Sequence, residues 1–403
     1  MLDGSARCWG FNFRGQLGAG TPVHRGVPAD VKGLTEGVVT MSAGLWYTCI
    51  LTDDGNVRCM GFNDYGQLGD GTFTDRSEPV IVDGLDGNAT AIGVGKFHAC
   101  ATMVGGGVKC WGHWSMCDYT KTPVDITGLE SGVAAIGASE GHTCALMDSG
   151  GVKCWGDNLY SQLGIGGGET LEFSTVPTDV NGLTTGAMAI ATGGYHACAL
   201  VDNAPPGYGV KCWGHNAGAE LGDGTFTNRD EPVDVNGLSG GVTAVAAGWG
   251  HTCALVASGK VKCWGEDAWG QLGLGTVTLR LTPVEVVAYT PLDINYTSGQ
   301  PDSFFTLTGA SLPSGTPVTV TVNGTILTDA LTTTETGETL FVLDSTQADR
   351  GFYLVTTSAN PGVQTAFILN EGIALRELES SGTMLVLPAG IAHDRFFYLP
   401  LMR

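Results

Sequence analysis

The chain has 403 residues, 63 of them glycine, and its 40 acidic against 19 basic residues give a formal net charge of −21. That balance argues against a nucleic-acid or anionic-membrane partner, because such surfaces are bound through basic patches that this chain does not supply. No apolar run reaches the roughly 18 residues that span a bilayer, and the opening Met1-Leu2-Asp3-Gly4-Ser5 lacks the basic and apolar regions of a signal peptide.

In chain order, the first feature is a repeat. Cys8-Trp9-Gly10 returns as Cys59-Met60-Gly61, Cys110-Trp111-Gly112, Cys154-Trp155-Gly156, Cys212-Trp213-Gly214 and Cys263-Trp264-Gly265. A Gly-Gln-Leu-Gly block follows most copies, as at Gly15 to Gly18, Gly66 to Gly69 and Gly270 to Gly273, with variants beginning at Ser161 and Ala219. The third copy lacks the block and runs from Trp114 into Lys121-Thr122-Pro123. A third signature, His-x-Cys-Ala, opens at His98, His142, His196 and His251.

One unit reads as four strands. In the last full copy, residues 232–238 alternate apolar and polar, as a half-buried strand does. Residues 242–247 form a continuous small-apolar run suited to a strand buried on both faces. Residues 251–256 and 260–264 flank the turn Ala257-Ser258-Gly259 as a hairpin. Four strands repeated around an axis make a propeller, so the expected fold is all-β: a β-propeller of six to seven four-stranded blades over residues 1–287, followed by a β-sandwich.

These signatures, in register over residues 1–287, resemble the regulator of chromosome condensation repeat. The resemblance implies a ring that usually has seven blades closed by strands from both ends. The chain holds material for about six, so a leader and further repeats are expected upstream. It also implies three functional precedents: nucleotide exchange on a small GTPase, inhibition of a secreted enzyme, and protein scaffolding.

Ten of the twelve cysteines fall on hairpins, as Cys49/Cys59, Cys100/Cys110, Cys144/Cys154, Cys198/Cys212 and Cys253/Cys263. Directly opposed strand residues come within disulfide reach, so each hairpin is expected to carry its own staple. Five staples imply an oxidising, extracellular or cell-surface location. Cys8 lacks a partner strand; Cys117 is either free or paired with Cys8. A His-Cys-Cys metal site and free buried thiols are the alternatives, the first opposed by the absence of any Cys-x-x-Cys.

Little points to catalysis. Gly137-Ala138-Ser139-Glu140-Gly141 matches the nucleophile-elbow pattern, but sister repeats carry Gly44 or Gly248 in the slot of Ser139, so it reads as a repeat substitution. Asp64, Asp70 and Asp75 share a glycine-rich loop whose spacing fits turn chemistry better than calcium. No enzyme activity, cofactor or metal is expected. The repeated histidines read as hydrogen-bonding groups within the blades.

Binding is expected at the loops, which vary between copies on a constant frame. The positions before His-x-Cys include Trp46, Phe97, Tyr195 and Trp249; those after Trp-Gly include Phe62; those before Gly-Gln-Leu-Gly include Tyr65, Tyr160 and Trp269. Tryptophan and tyrosine dominate interface hot spots. These eight residues are therefore the candidate partner-binding set of a monomeric scaffold for a protein, or a glycan.

After Val287 the cysteines and repeat glycines stop, and Thr, Val and Leu take over. Short alternating runs at residues 303–309, 317–323, 339–343, 351–357 and 365–369 read as a β-sandwich. Val320-Thr321-Val322-Asn323-Gly324 and Gly351-Phe352-Tyr353-Leu354-Val355 resemble IPT/TIG-type immunoglobulin-like domains, giving a domain over 288–372. Residues 373–403 are expected to form a last strand or a surface-attachment tail.

Overall fold

The structure, a computed structural model, describes residues 4–113, 119–167, 171–202, 208–274 and 277–286, and beyond these only strands between residues 293 and 386. The chain divides into two compact units, Met1–Val286 and Val287–Arg403.

Among the described residues the first unit holds six sheets, one for each copy of the repeat. The first has two strands, Arg7–Gly10 and Arg25–Asp30; the other five have four each, paired in simple antiparallel order. The sixth shows the plan: Val242–Ala247, His251–Val256, Val261–Gly265 and Arg280–Glu285. First strands from the five complete sheets line a common cavity of about 590 Å³, through Ala43, Val94, Ile136, Ile190 and Ala247 among others. Sheets meeting around a shared centre in this way are the blades of a β-propeller.

Two sequence expectations shift. The strand expected to open the sixth unit lies at Arg229–Asp234 and is the fourth strand of the fifth blade, where Asp234 pairs with Lys211. The sequence repeat and the blade are therefore out of phase by one strand. The 242–247 run is also not buried on both faces, since Thr243, Ala244 and Ala246 are exposed. Its small side chains suit a strand that faces an open cavity.

Each blade is joined to the next by the loop after its third strand. Trp111, Trp213 and Trp264 are fully buried, and each indole Nε1 donates to a carbonyl of the preceding loop: Gln67 at 2.9 Å, Gln162 at 3.0 Å and Glu220 at 2.8 Å. Trp155 follows the copy that lacks the Gly-Gln-Leu-Gly block, and its Nε1 has no partner among the described residues. Trp9, with no described loop before it, is 60% exposed.

All five hairpin disulfides are present, with Cα–Cα distances of 4.0–4.1 Å. In each case the cysteines are directly opposed, as Cys253 is to Cys263. The cystines sit in apolar clusters that run into the neighbouring blade, as Cys49 and Cys59 do with Ala99, Ala101 and Trp111. Cys8 is buried and has no disulfide, and burial pushes its thiol pKa up; Cys117 lies outside the described residues.

In the second unit, Asp293–Ile294, Phe304–Gly309, Thr339–Asp344 and Thr383–Val386 form one sheet. Ser298–Gly299, Gln364–Leu369, Gly351–Thr357, Pro317–Val322 and Thr325–Thr332 form the other. Leu307, Val320, Val322 and Leu343 are fully buried, and the spacing of Val320 and Val322 puts both on one face of their strand. The tail expectation falls largely outside the described residues, apart from Thr383–Val386, which pairs in parallel with Thr339–Asp344.

Candidate functional site

The turns between first and second strands rim one mouth of the cavity, and Leu45, Lys96, Glu140, Gly194 and Trp249 all line it. The fold thus brings most of the variable loop aromatics to one face, where they make two arcs. In the first, Phe62 meets Trp46, Tyr65 and Phe97 edge-on at centroid distances of 5.7, 5.9 and 6.2 Å, and Tyr65 continues to His113 and Tyr119. In the second, Tyr195 packs against Tyr160 at 5.2 Å and Trp249 at 6.2 Å, with His215 beside Tyr160 at 4.8 Å. Such edge-on and tilted contacts are the favoured geometries of aromatic pairs.

Exposure sorts the eight candidates. Trp46 is 42% exposed, Trp249 61% and Trp269 90%. Phe97, Tyr65 and Tyr195 are half-buried, and Tyr160 is exposed. Phe62 departs from the expectation: it is buried beneath Trp46, Tyr65 and Phe97 and supports the surface instead of forming it. Trp46 also holds a positive φ of 69°. That backbone conformation is rare for a bulky side chain and is typical of functional loops.

Glu140 bridges the two arcs. Its Oε2 receives the Lys96 ammonium at 2.6 Å, its Oε1 receives the Trp249 indole N–H at 3.3 Å, and the Tyr195 hydroxyl stands 3.5 Å from Oε2. The ion pair holds the Lys96 pKa above its ordinary value, while burial and the Glu140 carboxylate raise that of Tyr195. In the sequence Glu140 stands out only inside the Gly-x-Ser-x-Gly match and carries no binding role. Its signal was the presence of opposite charges, Lys96 and Glu140, in the same turn of successive blades.

The side chains weighed for other chemistries are held in local hydrogen bonds. Ser139 Oγ lies 2.8 Å from His142 Nδ1 and 3.2 Å from the His142 carbonyl oxygen, to which it donates. Both contacts lie within one turn, so the hydroxyl ties the start of the second strand to the turn before it. Asp70 accepts from Asn63, Thr72 and Arg76, and Asp75 from Asn63 and Arg14, so these carboxylates tie down the loop. No group of three or more metal-ligating side chains occurs among the described residues.

The architecture is that of a repeat β-propeller with an aromatic, charge-bridged loop face. The chain belongs to the regulator of chromosome condensation (RCC1) repeat family. One family model matches residues 38–67, 133–162 and 242–271, and a second matches 3–51, 54–102, 149–200 and 210–255, together more than half of the chain. Among curated relatives, the ultraviolet-B receptor UVR8 of Arabidopsis thaliana is 27% identical over 74% of this chain. The mitochondrial RCC1 domain-containing protein RUG3 of the same plant is 28% identical over 71%. The chain spans 57% and 55% of the lengths of these two proteins. Among solved structures, Prp20p of Saccharomyces cerevisiae, described with its binding to Gsp1p and histones, matches with a TM-score of 0.59 and 19% identity over 75% of this chain and 78% of its own. Human WBSCR16 matches with 0.57 and 23% identity over 66% and 73%. Both structural matches establish the fold.

Proposed function

We propose that this protein is a non-enzymatic scaffold that binds a protein partner through the aromatic loop face of its propeller. The observation that carries this reading is the gathering of Trp46, Tyr65, Phe97, Tyr160, Tyr195 and Trp249 around one cavity mouth, several of them exposed. Large, stiff aromatic side chains on a rigid frame lose little entropy when they bind. Trp46→Ala, Tyr195→Ala and Trp249→Ala are expected to abolish partner capture with the melting temperature unchanged. Capture that persists in all three variants contradicts the reading.

The compartment proposed is extracellular or cell-surface, because stapled hairpins persist where thiols are oxidised. Alkylation of the denatured native protein without reductant is expected to label at most Cys8 and Cys117; labelling of all twelve cysteines excludes it. The second unit is read as an immunoglobulin-like β-sandwich spacer, with Leu307 and Leu343 of one sheet and Val320 and Val322 of the other supplying its core. An exchange-factor role on a small GTPase is the second reading, favoured by the Prp20p fold match.

A further inference from the structure

We infer that the cavity mouth seats an arginine side chain from a basic loop of the protein partner, with Glu140 as its anion and Trp249 and Tyr195 as its walls. This inference rests on the reading of the loop face as the binding site. Glu140 and Lys96 are the only charged residues among those lining the cavity; the rest of the lining is strand backbone, Ser42, Ser139, Thr192 and small or apolar side chains. At present an internal cation occupies the carboxylate, since the Lys96 ammonium sits on Oε2. Oε1 faces the exposed indole of Trp249.

A carboxylate beside exposed aromatic rings suits a guanidinium, which pairs with carboxylates bidentately and stacks on rings. Surrounding charges act in the same direction. Asp157 packs behind the Glu140 turn, Glu266 packs behind the Trp249 turn, and the whole chain carries −21. Cations on the opposite arc are already engaged, with Arg14 over Phe62 and paired to Asp75, and Lys96 over Phe97. An incoming arginine takes the Glu140 carboxylate from Lys96, whose long flexible stem lets the ammonium swing out to solvent. Lys96 thus competes with the ligand and selects against weaker cations.

The test uses the full chain and short acetylated, amidated Gly/Ser peptides carrying one central arginine or one central glutamate. Each is titrated to about 10 mM, where a single-residue contact is measurable. The readout is the NMR signal of the Trp249 indole N–H, assigned by its loss in Trp249→Phe. The arginine peptide is expected to shift it saturably, Glu140→Gln to weaken that binding about tenfold or more, and Lys96→Met to strengthen it severalfold. Melting temperatures of both variants check that they fold. Binding unaffected by Glu140→Gln, preference for the glutamate peptide, or no binding of either peptide overturns the inference. The loop-face reading is decided separately, by partner capture with Trp46→Ala, whose side chain is not among the residues of the proposed seat.

Discussion

Each fully buried histidine of the His-x-Cys signature holds one partner, and local sequence decides which. His98 Nε2 meets Thr143 Oγ1 of the following blade at 2.8 Å, and His196 Nε2 meets Thr252 Oγ1 at 2.8 Å. In both, Nδ1 is unpaired. His142 is reversed: Ser139 satisfies Nδ1, while Ala197 stands where sister blades carry threonine and Nε2 is unpaired. An Ala197→Thr substitution is therefore expected to stabilise the fold by about 1 kcal/mol, read as a higher urea midpoint with an unchanged slope. Thr252→Ala is expected to cost about 1–3 kcal/mol, because it strands a buried imidazole nitrogen. Burial pushes the pKa of His98 down to about 4 and those of His142 and His196 to about 3. Unfolded imidazoles titrate near 6.5. Stability is thus fully present above about pH 6.5 and falls as pH drops toward 4, where the unfolded chain holds protons that the folded chain refuses. Unfolding at pH 5 should take up on the order of three protons from these residues, measurable from the pH slope of the unfolding free energy.

At the scale of the element, the Gly-Gln-Leu-Gly turn shows what was legible and what was not. Its first residue has positive φ in every described copy, including Ser161 and Ala219, so the glycine preference reflects backbone conformation. The sequence alone does not distinguish which of these glycines is also crowded. A Cβ on Gly66 meets Lys121 Cα at 2.8 Å, whereas one on Gly270 meets nothing within 4 Å. Gly270→Ala is expected to cost about 1 kcal/mol and Gly66→Ala clearly more, compared by denaturant titration. Four hairpin disulfides were readable because a ten-residue spacing around a tight turn fixes the register, and the fifth, Cys198–Cys212, because the same strand signatures flank its fourteen-residue spacing. The phase of the blade was not, since the fourth strand pairs across a long loop whose length carries no pairing signal. Reduction of the disulfides should lower the thermal midpoint, each short loop contributing no more than about 3 kcal/mol.

For the whole molecule, the repeat reveals the propeller and the exceptions to it reveal the site. Tryptophans that recur in register, such as Trp111 and Trp264, became the seams between blades. Of those that vary, Trp249 lines the cavity and Trp46 follows Leu45, which lines it too. Phe62 was misplaced by the same logic, because a variable position can lie under a surface as well as on it. The Lys96–Glu140 bridge depends on neighbouring blades, 44 residues apart in sequence, meeting at the axis. The most direct test of the loop face replaces Tyr195 with a photo-crosslinking phenylalanine analogue and, in a matched chain, does the same at exposed Val176 on a blade's fourth strand. Both are illuminated in the native milieu, and the cross-linked peptides are mapped. A single partner protein joined at position 195 and absent at 176 is the predicted result. Capture of the same protein at 176 but not at 195 would contradict the account.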